Sequence, residues 1–394
     1  MPSRRELNSA DESAVSVSPS IAQAARLTMQ YLEATELEQM ASPTILHRSL
    51  TVRSVVSTTS SFAQRFQRAS TRPDLQEIVQ IGQGLQAAIF EQVGLPIVLK
   101  KETPGNESRP SNLQHEFQIH LNVHGAFERY DGTVGSNILV PRPFNIIFTT
   151  QDEFWNDRLG KFPVNYRQKT NIVEMERILP LPKIIRQALI CQFFPRPNQD
   201  TIDPTLLGDL LNNPANKHCL VRPYLGQSHG VYKADTFSLR NFPLYLRDLE
   251  ALRLDVKDFA NCMGKAYAIM HWGAGADSDD VEFVLGSSVI EDNGSSDFHH
   301  RKTGIYLLDF GQCVSVDFAQ PSHVVYQAFK GAMVTGDNQK FIPHYNRSPE
   351  LFREFIEGYM EAAQIILMDK GLDNQFNVKD FMDEYEEYAE DFLY

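Results

Sequence analysis

The chain has 394 residues, enough for one large two-lobed domain or two smaller ones. Its 37 Lys and Arg stand against 50 Asp and Glu, a net charge of -13, which argues against nucleic acid or an anionic membrane as partner, because either demands a cationic face. The four cysteines, Cys191, Cys219, Cys262 and Cys313, form no Cys-x-x-Cys pair, and no secretory signal or run of about twenty apolar residues occurs, so a reducing cytoplasmic or nuclear setting is expected.

Residues 1 to 20 are Ser-rich without apolar periodicity, which predicts a disordered tail. Between Ile21 and Met40, Ala24, Leu27, Tyr31 and Leu32 fall at helical spacing and predict one amphipathic helix. Ser49 to Arg72 is rich in Ser, Thr and Arg; it reads as a solvated linker or, alternatively, as a phosphorylated regulatory arm. The ordered part is expected from Leu75. Ile78–Ile81 is a strand leading into Gly82-Gln-Gly84-Leu-Gln-Ala87, a turn whose glycines would let backbone N–H groups approach a bound phosphate. Leu95–Lys100 is a strand that ends in Lys, and from Asn112 to Val123 the residues Leu113, Phe117, His120 and Leu121 mark a helix with Glu116 beside its apolar stripe. Val140–Phe148 reads as a loop and strand, and Asn171–Ile178 as a strand entering the Pro-rich turn Leu179–Pro182.

A helix is expected over Ile184–Phe194 and a strand and turn over His218–Gly226. Leu246, Leu249, Phe259, Met263, Tyr267 and Met270 give a long helical period interrupted near Leu254. An acidic loop follows, with Asp277, Asp279, Asp280 and Glu282, then the short strand Phe283–Leu285. Gly286–Arg301 is polar and reads as an exposed hairpin loop. Ile305–Leu308 is a buried strand that delivers Asp309-Phe310-Gly311 at its end. Helices are expected at Val324–Met333, Pro349–Asp369 and Lys379–Tyr394, the last as a cap docked on the body.

Glycine turn, Lys strand, Glu helix, two strands, linker, long helix, acidic loop and Asp-Phe-Gly, in this order, resemble the protein-kinase-like superfamily. The pairing of Val140-Pro-Arg-Pro143 with Met175-Glu-Arg177 is most similar to its aminoglycoside-phosphotransferase and choline-kinase branch. Residues 270–375 also resemble an uncharacterised fungal family sometimes labelled zinc finger, a label for which the sequence offers no Cys/His ligand set.

The resemblance implies an α+β, two-lobed kinase-like fold: a partly disordered N-terminal arm at 1–74, a small antiparallel-sheet lobe at 75–178 and a mostly helical lobe at 179–394. It implies ATP and Mg²⁺ as cofactors. Gly82 and Gly84 would cover the phosphates, Lys100 would grip them and Glu116 would orient Lys100. Met175 would lie in the hinge that receives adenine, with the Tyr224 region as the alternative hinge. Asp309 and Glu282 would hold Mg²⁺, and Asp277, five residues before Glu282, would position the acceptor hydroxyl, with Asp279 and Asp280 as alternatives. The pattern departs from the family's at Ala87 for a third Gly, Gly275-Ala276 for His-Arg and Glu282 for Asn, and Gly311 is followed by no Ala-Pro-Glu segment. Two functions stay open: a phosphotransferase with a nucleotide and a small-molecule acceptor as partners, or a pseudokinase-type interaction module with a protein partner.

Overall fold

The computed structural model describes residues 29–57, 61–72, 76–84, 87–103, 113–196, 201–292 and 295–392. The tail expected at residues 1–20 and residues 85–86 of the glycine turn lie outside them. In chain order the strands are β1 (Gln30–Leu32), β2 (Ser54–Ser57), β3 (Ile78–Gln83), β4 (Ala87–Gln92), β5 (Ile97–Glu102), β6 (Ile138–Leu139), β7 (Pro143–Ile147), β8 (Ile172–Glu176), β9 (Val221–Tyr224), β10 (Phe242–Tyr245), β11 (Glu282–Asp292) and β12 (Ser295–Leu308). They make two sheets. One is antiparallel in the order β3-β4-β5-β8-β7; the other runs β1-β2-β12-β11-β9-β10, with β6 against β12.

The small sheet is built on strand alternation. In β5, Leu99 faces the apolar layer of Phe90, Trp155, Phe162 and Ile172, while successive lysines point to opposite faces. Lys101 is buried on the same face as Leu99, where Gln168 O and Thr170 Oγ1 accept from Nζ at 2.7 and 2.5 Å beside the Trp155 ring. Lys100 is left on the other face, between Ile89 of β4 and Val173 of β8. The long helix Leu113–Val134 packs beneath the sheet and contributes Ile119, Val123 and Phe127 to the core of the large lobe.

The large lobe is centred on two helices, Val256–Ala268 and Pro349–Lys370, that touch backbone to backbone. A Cβ on Gly264 would collide with the Phe355 carbonyl oxygen, and one on Gly358 with that of Asn261, so each helix has a glycine under the other. Gly264→Ala must therefore push the helices apart or strain them, and we expect it to lower stability by about 1 to 3 kcal/mol. A urea-unfolding midpoint equal to wild type would show that the crossing tolerates separation. The first helix continues as a wider π-helical turn, Ile269–Ala274, that buries His271 and Trp272 and stops at the left-handed Gly275. The C-terminal helix Val378–Phe392 docks Phe381, Met382 and Tyr385 into the same core, as expected of a cap.

Two expectations are corrected. Residues 30–57 are neither an amphipathic helix nor a solvated linker: β1 and β2 extend the second sheet by pairing onto β12, and the helix Ser42–Ser49 buries Ile45 and Leu46 in the large-lobe core. Their pairing partner is some 250 residues away, since Val55 opposes Lys302 and Val56 opposes Arg301. The exposed hairpin loop expected at Gly286–Arg301 is a hairpin, the outer half of β11–β12, but it is strand-paired and its described side chains are buried or half-buried. Buried polar side chains at its base find backbone partners: Ser287 Oγ donates to Pro180 O at 3.0 Å and, just past the stretch, Thr303 Oγ1 to Ser49 O at 2.9 Å. No helix among the described residues is long and apolar enough to cross a membrane.

Candidate active site

A cleft of about 480 Å³ lies between the small sheet and the second sheet. Its roof is the β3–β4 hairpin with Gly82 and Gly84, closed by the Gly84 N–H donating to Ala87 O at 2.8 Å. A Cβ on either glycine would make only ordinary contacts with Ile89 or Ala87, so the hairpin itself does not require glycine there. What the glycines leave is bare backbone above the cleft.

At the back, Lys100 forms an ion pair with Glu116, from the first turn of the long helix, and lies 3.3 Å from Asp309 Oδ1. Burial disfavours the ammonium, but Glu116 and then Asp309 outweigh it and hold the Lys100 pKa above the ordinary lysine value. Asp309 itself keeps 48 % of its side chain exposed to the cleft. It is delivered there by β12, whose Leu308 opposes Glu282 on β11, and by a left-handed backbone at φ 66° that turns the chain out of the sheet. The next residue, Phe310, is buried against the ring of His120 at 4.9 Å. His120 sits one helical turn after Glu116 and its Nε2 donates to Pro141 O at 2.6 Å. Burial pushes its pKa down to about 4, so it is neutral and packs as an aromatic. The helix, the Lys strand and the Asp-Phe-Gly segment are thereby locked together.

Met175, Glu176 and Arg177 line the cleft where β8 leaves the small sheet. Met175 opposes Val98 on the Lys100 strand. Of the alternative Tyr224 region, Tyr224 itself lies in β9 of the second sheet, buried against Tyr245 and Phe341, while His218, Leu220 and Arg222 of the same stretch line the cleft. Arg177 makes a fully buried ion pair with Glu91 of β4, both side chains 1 % exposed.

On the floor, Glu282 opens β11 beside Asp309, and its Oε1 accepts from Arg222 Nη2 at 2.5 Å. Burial pushes the Glu282 carboxyl up, and Arg222 pulls it down. Arg222 comes from β9, which pairs with β11 through Val221 and Leu285. Asp337 is 3.8 Å from Arg222, and its own N–H donates to Asp280 Oδ1 at 2.7 Å. Gly336 makes room for that carboxylate, because a Cβ there would strike it.

The acidic loop does not present the carboxylate that spacing favoured. Asp277 is buried and is absent from the walls of the cleft; its Oδ1 accepts from Val314 N at 2.9 Å and Asp279 N at 3.2 Å. It clamps the loop onto the segment after Gly311, a clamp reinforced by the bridge between Ala276 and Ser315. From beneath, His271 donates through Nε2 to Asp277 O at 3.2 Å and accepts from the Tyr359 hydroxyl at 2.8 Å, its pKa driven down to about 3 by burial. Ser278 and Asp280 both adopt left-handed backbone, at φ 63° and 56°, and this reversal sends Asp280 rather than Asp277 into the cleft. Gly82, Gly84, Lys100, Glu116, Met175, Glu282 and Asp309 all meet around one cavity; Asp277 stands behind it. Spacing missed Arg222, Asp337 and the Arg177–Glu91 pair, for which no local motif exists.

Among the described residues no group of three or more His, Cys, Asp or Glu is arranged to hold a metal. Mg²⁺ does not need one, since it is commonly held by one or two carboxylates together with substrate phosphates. The half-exposed Asp309 fits that donor set, with Glu282 beside it already paired with Arg222.

The five-stranded order and the Lys100–Glu116–Asp309 cluster over a helical lobe make this a two-lobed, kinase-like α+β fold. No family model and no curated protein matches the chain. Among solved structures it is similar to a microcompartment-associated aminopropanol kinase, at 13 % identity over 82 % of this chain and 93 % of that one, with a TM-score of 0.24.

Proposed function

We propose that the chain is an ATP- and Mg²⁺-dependent phosphotransferase acting on a small molecule, of the kind found in the aminoglycoside-phosphotransferase and choline-kinase branch. The observation that carries this reading is the placement of Lys100 between Glu116 and Asp309 under a glycine hairpin, a cation fixed where phosphates would lie. Lys100 binds the phosphates, and Glu116 keeps its ammonium aimed at them. Backbone N–H groups at Gly82 and Gly84 cover the phosphates from above, and the strand end at Met175–Arg177 receives the base. Asp309 would hold Mg²⁺, which when bound would neutralise phosphate charge, while Glu282 behind it is held by Arg222. Asp280 takes the proton of the acceptor hydroxyl as its oxygen attacks the terminal phosphorus and the bond to the bridging oxygen breaks, ADP leaving. The lack of any extended segment for peptide docking after Gly311 favours a small acceptor.

A second reading is a nucleotide-responsive module without transfer, favoured by Glu282 already engaged by Arg222. The first test is the unfolding midpoint with and without ATP and Mg²⁺. Ligand at 100-fold over Kd is expected to add about 2.7 kcal/mol of stability, and Asp309→Asn to remove most of that gain. An absent shift at saturating nucleotide would overturn both readings of the cleft; a shift without product from any small hydroxyl or amine acceptor would leave the second.

A further inference from the structure

The floor of the cleft carries Asp280, Glu282, Asp309 and Asp337 together, a concentration of negative charge that opposes a triphosphate. The structure supplies a counter-charge that no motif announces. We infer that Arg222 acts as a built-in phosphate-binding cation in place of a second metal ion, so that the site takes one divalent cation, at Asp309. This rests on the phosphotransferase reading and deepens it.

Three observations support it. Arg222 is a lining residue of the cleft, only 16 % exposed, so its charge acts in a poorly screened place. Its Nη2 is committed to Glu282, whereas Nη1 has only a marginal contact with Tyr224 Oη at 3.5 Å and the Asp337 carboxylate at 3.8 Å. A guanidinium has five donors, and those on Nη1 remain poorly used beside the cleft. Finally, the Arg222–Glu282 pair sums to no net charge, as a neutral Asn would at the same position, and one of the two Glu282 oxygens that a second metal would need is taken by Arg222. The pair is anchored by strand pairing on both sides, since β9 and β11 are neighbours in the second sheet, which makes it a fixed rather than a chance contact.

The test counts Mn²⁺ bound in the presence of the non-hydrolysable analogue adenylyl imidodiphosphate, by electron paramagnetic resonance, and measures affinities for that analogue and for adenosine by calorimetry. Wild type is expected to hold one Mn²⁺ per chain, and Glu282→Gln to keep that one. Arg222→Gln is expected to weaken the triphosphate analogue about 10- to 100-fold while leaving adenosine unchanged, with partial recovery in Arg222→Lys. A purely structural role would weaken both ligands alike, and that result overturns the inference. Two Mn²⁺ in wild type, loss of Mn²⁺ in Glu282→Gln, or undiminished triphosphate affinity in Arg222→Gln also overturns it while the phosphotransferase reading stands. If wild type binds no analogue at all, the reading itself fails and the inference with it.

Discussion

Asp280→Asn is expected to lower kcat for phosphotransfer by about 10²- to 10⁴-fold, the range for removing a general base, while the stabilisation by ATP and Mg²⁺ persists. The substitution is conservative in every respect but charge. Asn tolerates the left-handed backbone at φ 56°, and its Oδ1 can still accept from the Asp337 N–H that Asp280 Oδ1 accepts from at 2.7 Å. The pH profile gives a second readout. Burial pushes the Asp280 carboxyl above the ordinary carboxylate value, against the pull of the Asp337 N–H. Its basic form is lost as pH falls through that raised pKa, so activity should fall on the acid side at a pH above the ordinary Asp range, and that limb should vanish from the residual rate of Asp280→Asn. Asp277→Ala makes the control. It removes the acceptor of two backbone N–H groups and should lower the unfolding midpoint first, with activity lost only in proportion to the folded fraction. A fully folded Asp277→Ala protein without activity, beside an active Asp280→Asn, would return the role of base to Asp277.

Local motifs do not reach the acidic loop. The order of the small-lobe elements and the grouping of Lys100, Glu116 and Asp309 were legible because each rests on a local signal: a strand ending in Lys, a helix with Glu on its inner edge, an apolar strand ending in Asp. Spacing alone could not say which loop carboxylate faces the cleft. Asp277, Asp279 and Asp280 are close in sequence, and the choice is made by two left-handed residues and by a clamp onto Val314, 37 positions on. Arg222 was invisible for the same reason, since its partner Glu282 is 60 positions away. The N-terminal strands were misread because their apolar content is low: β1 is Gln-Tyr-Leu, with only Leu32 buried, and its order comes from pairing through β2 onto β12. Ser287 and Arg301 misled in the opposite direction, being polar residues buried at the base of the hairpin, with hydrogen bonds that run to Pro180 O.

The Arg177–Glu91 pair is the place where stability and the cleft meet, and Glu91→Gln is expected to cost about 3 to 5 kcal/mol. Both side chains are 1 % exposed, and burial already depresses the Arg177 pKa against the pull of Glu91. Taking the carboxylate away leaves a guanidinium charge in the interior, with Arg65, 3.3 Å from Glu91, adding to the local positive charge. The pair joins β4 to the strand exit where Arg177 N–H donates to Pro96 O at 2.9 Å, at the edge of the cleft. Replacing both partners, Glu91→Leu with Arg177→Met, removes two desolvated charges at once and should recover most of the loss, since well-packed apolar pairs are often as stable as buried ion pairs. Urea-unfolding midpoints of the two single variants and the double variant give the coupling directly. A Glu91→Gln cost below about 1 kcal/mol would place the pair in the range of a solvated surface contact. If the double variant folds as wild type but ATP and Mg²⁺ no longer stabilise it, Arg177 is part of the nucleotide site as well as of the roof; if the ligand effect is intact, the pair is there to hold the strand exit in place.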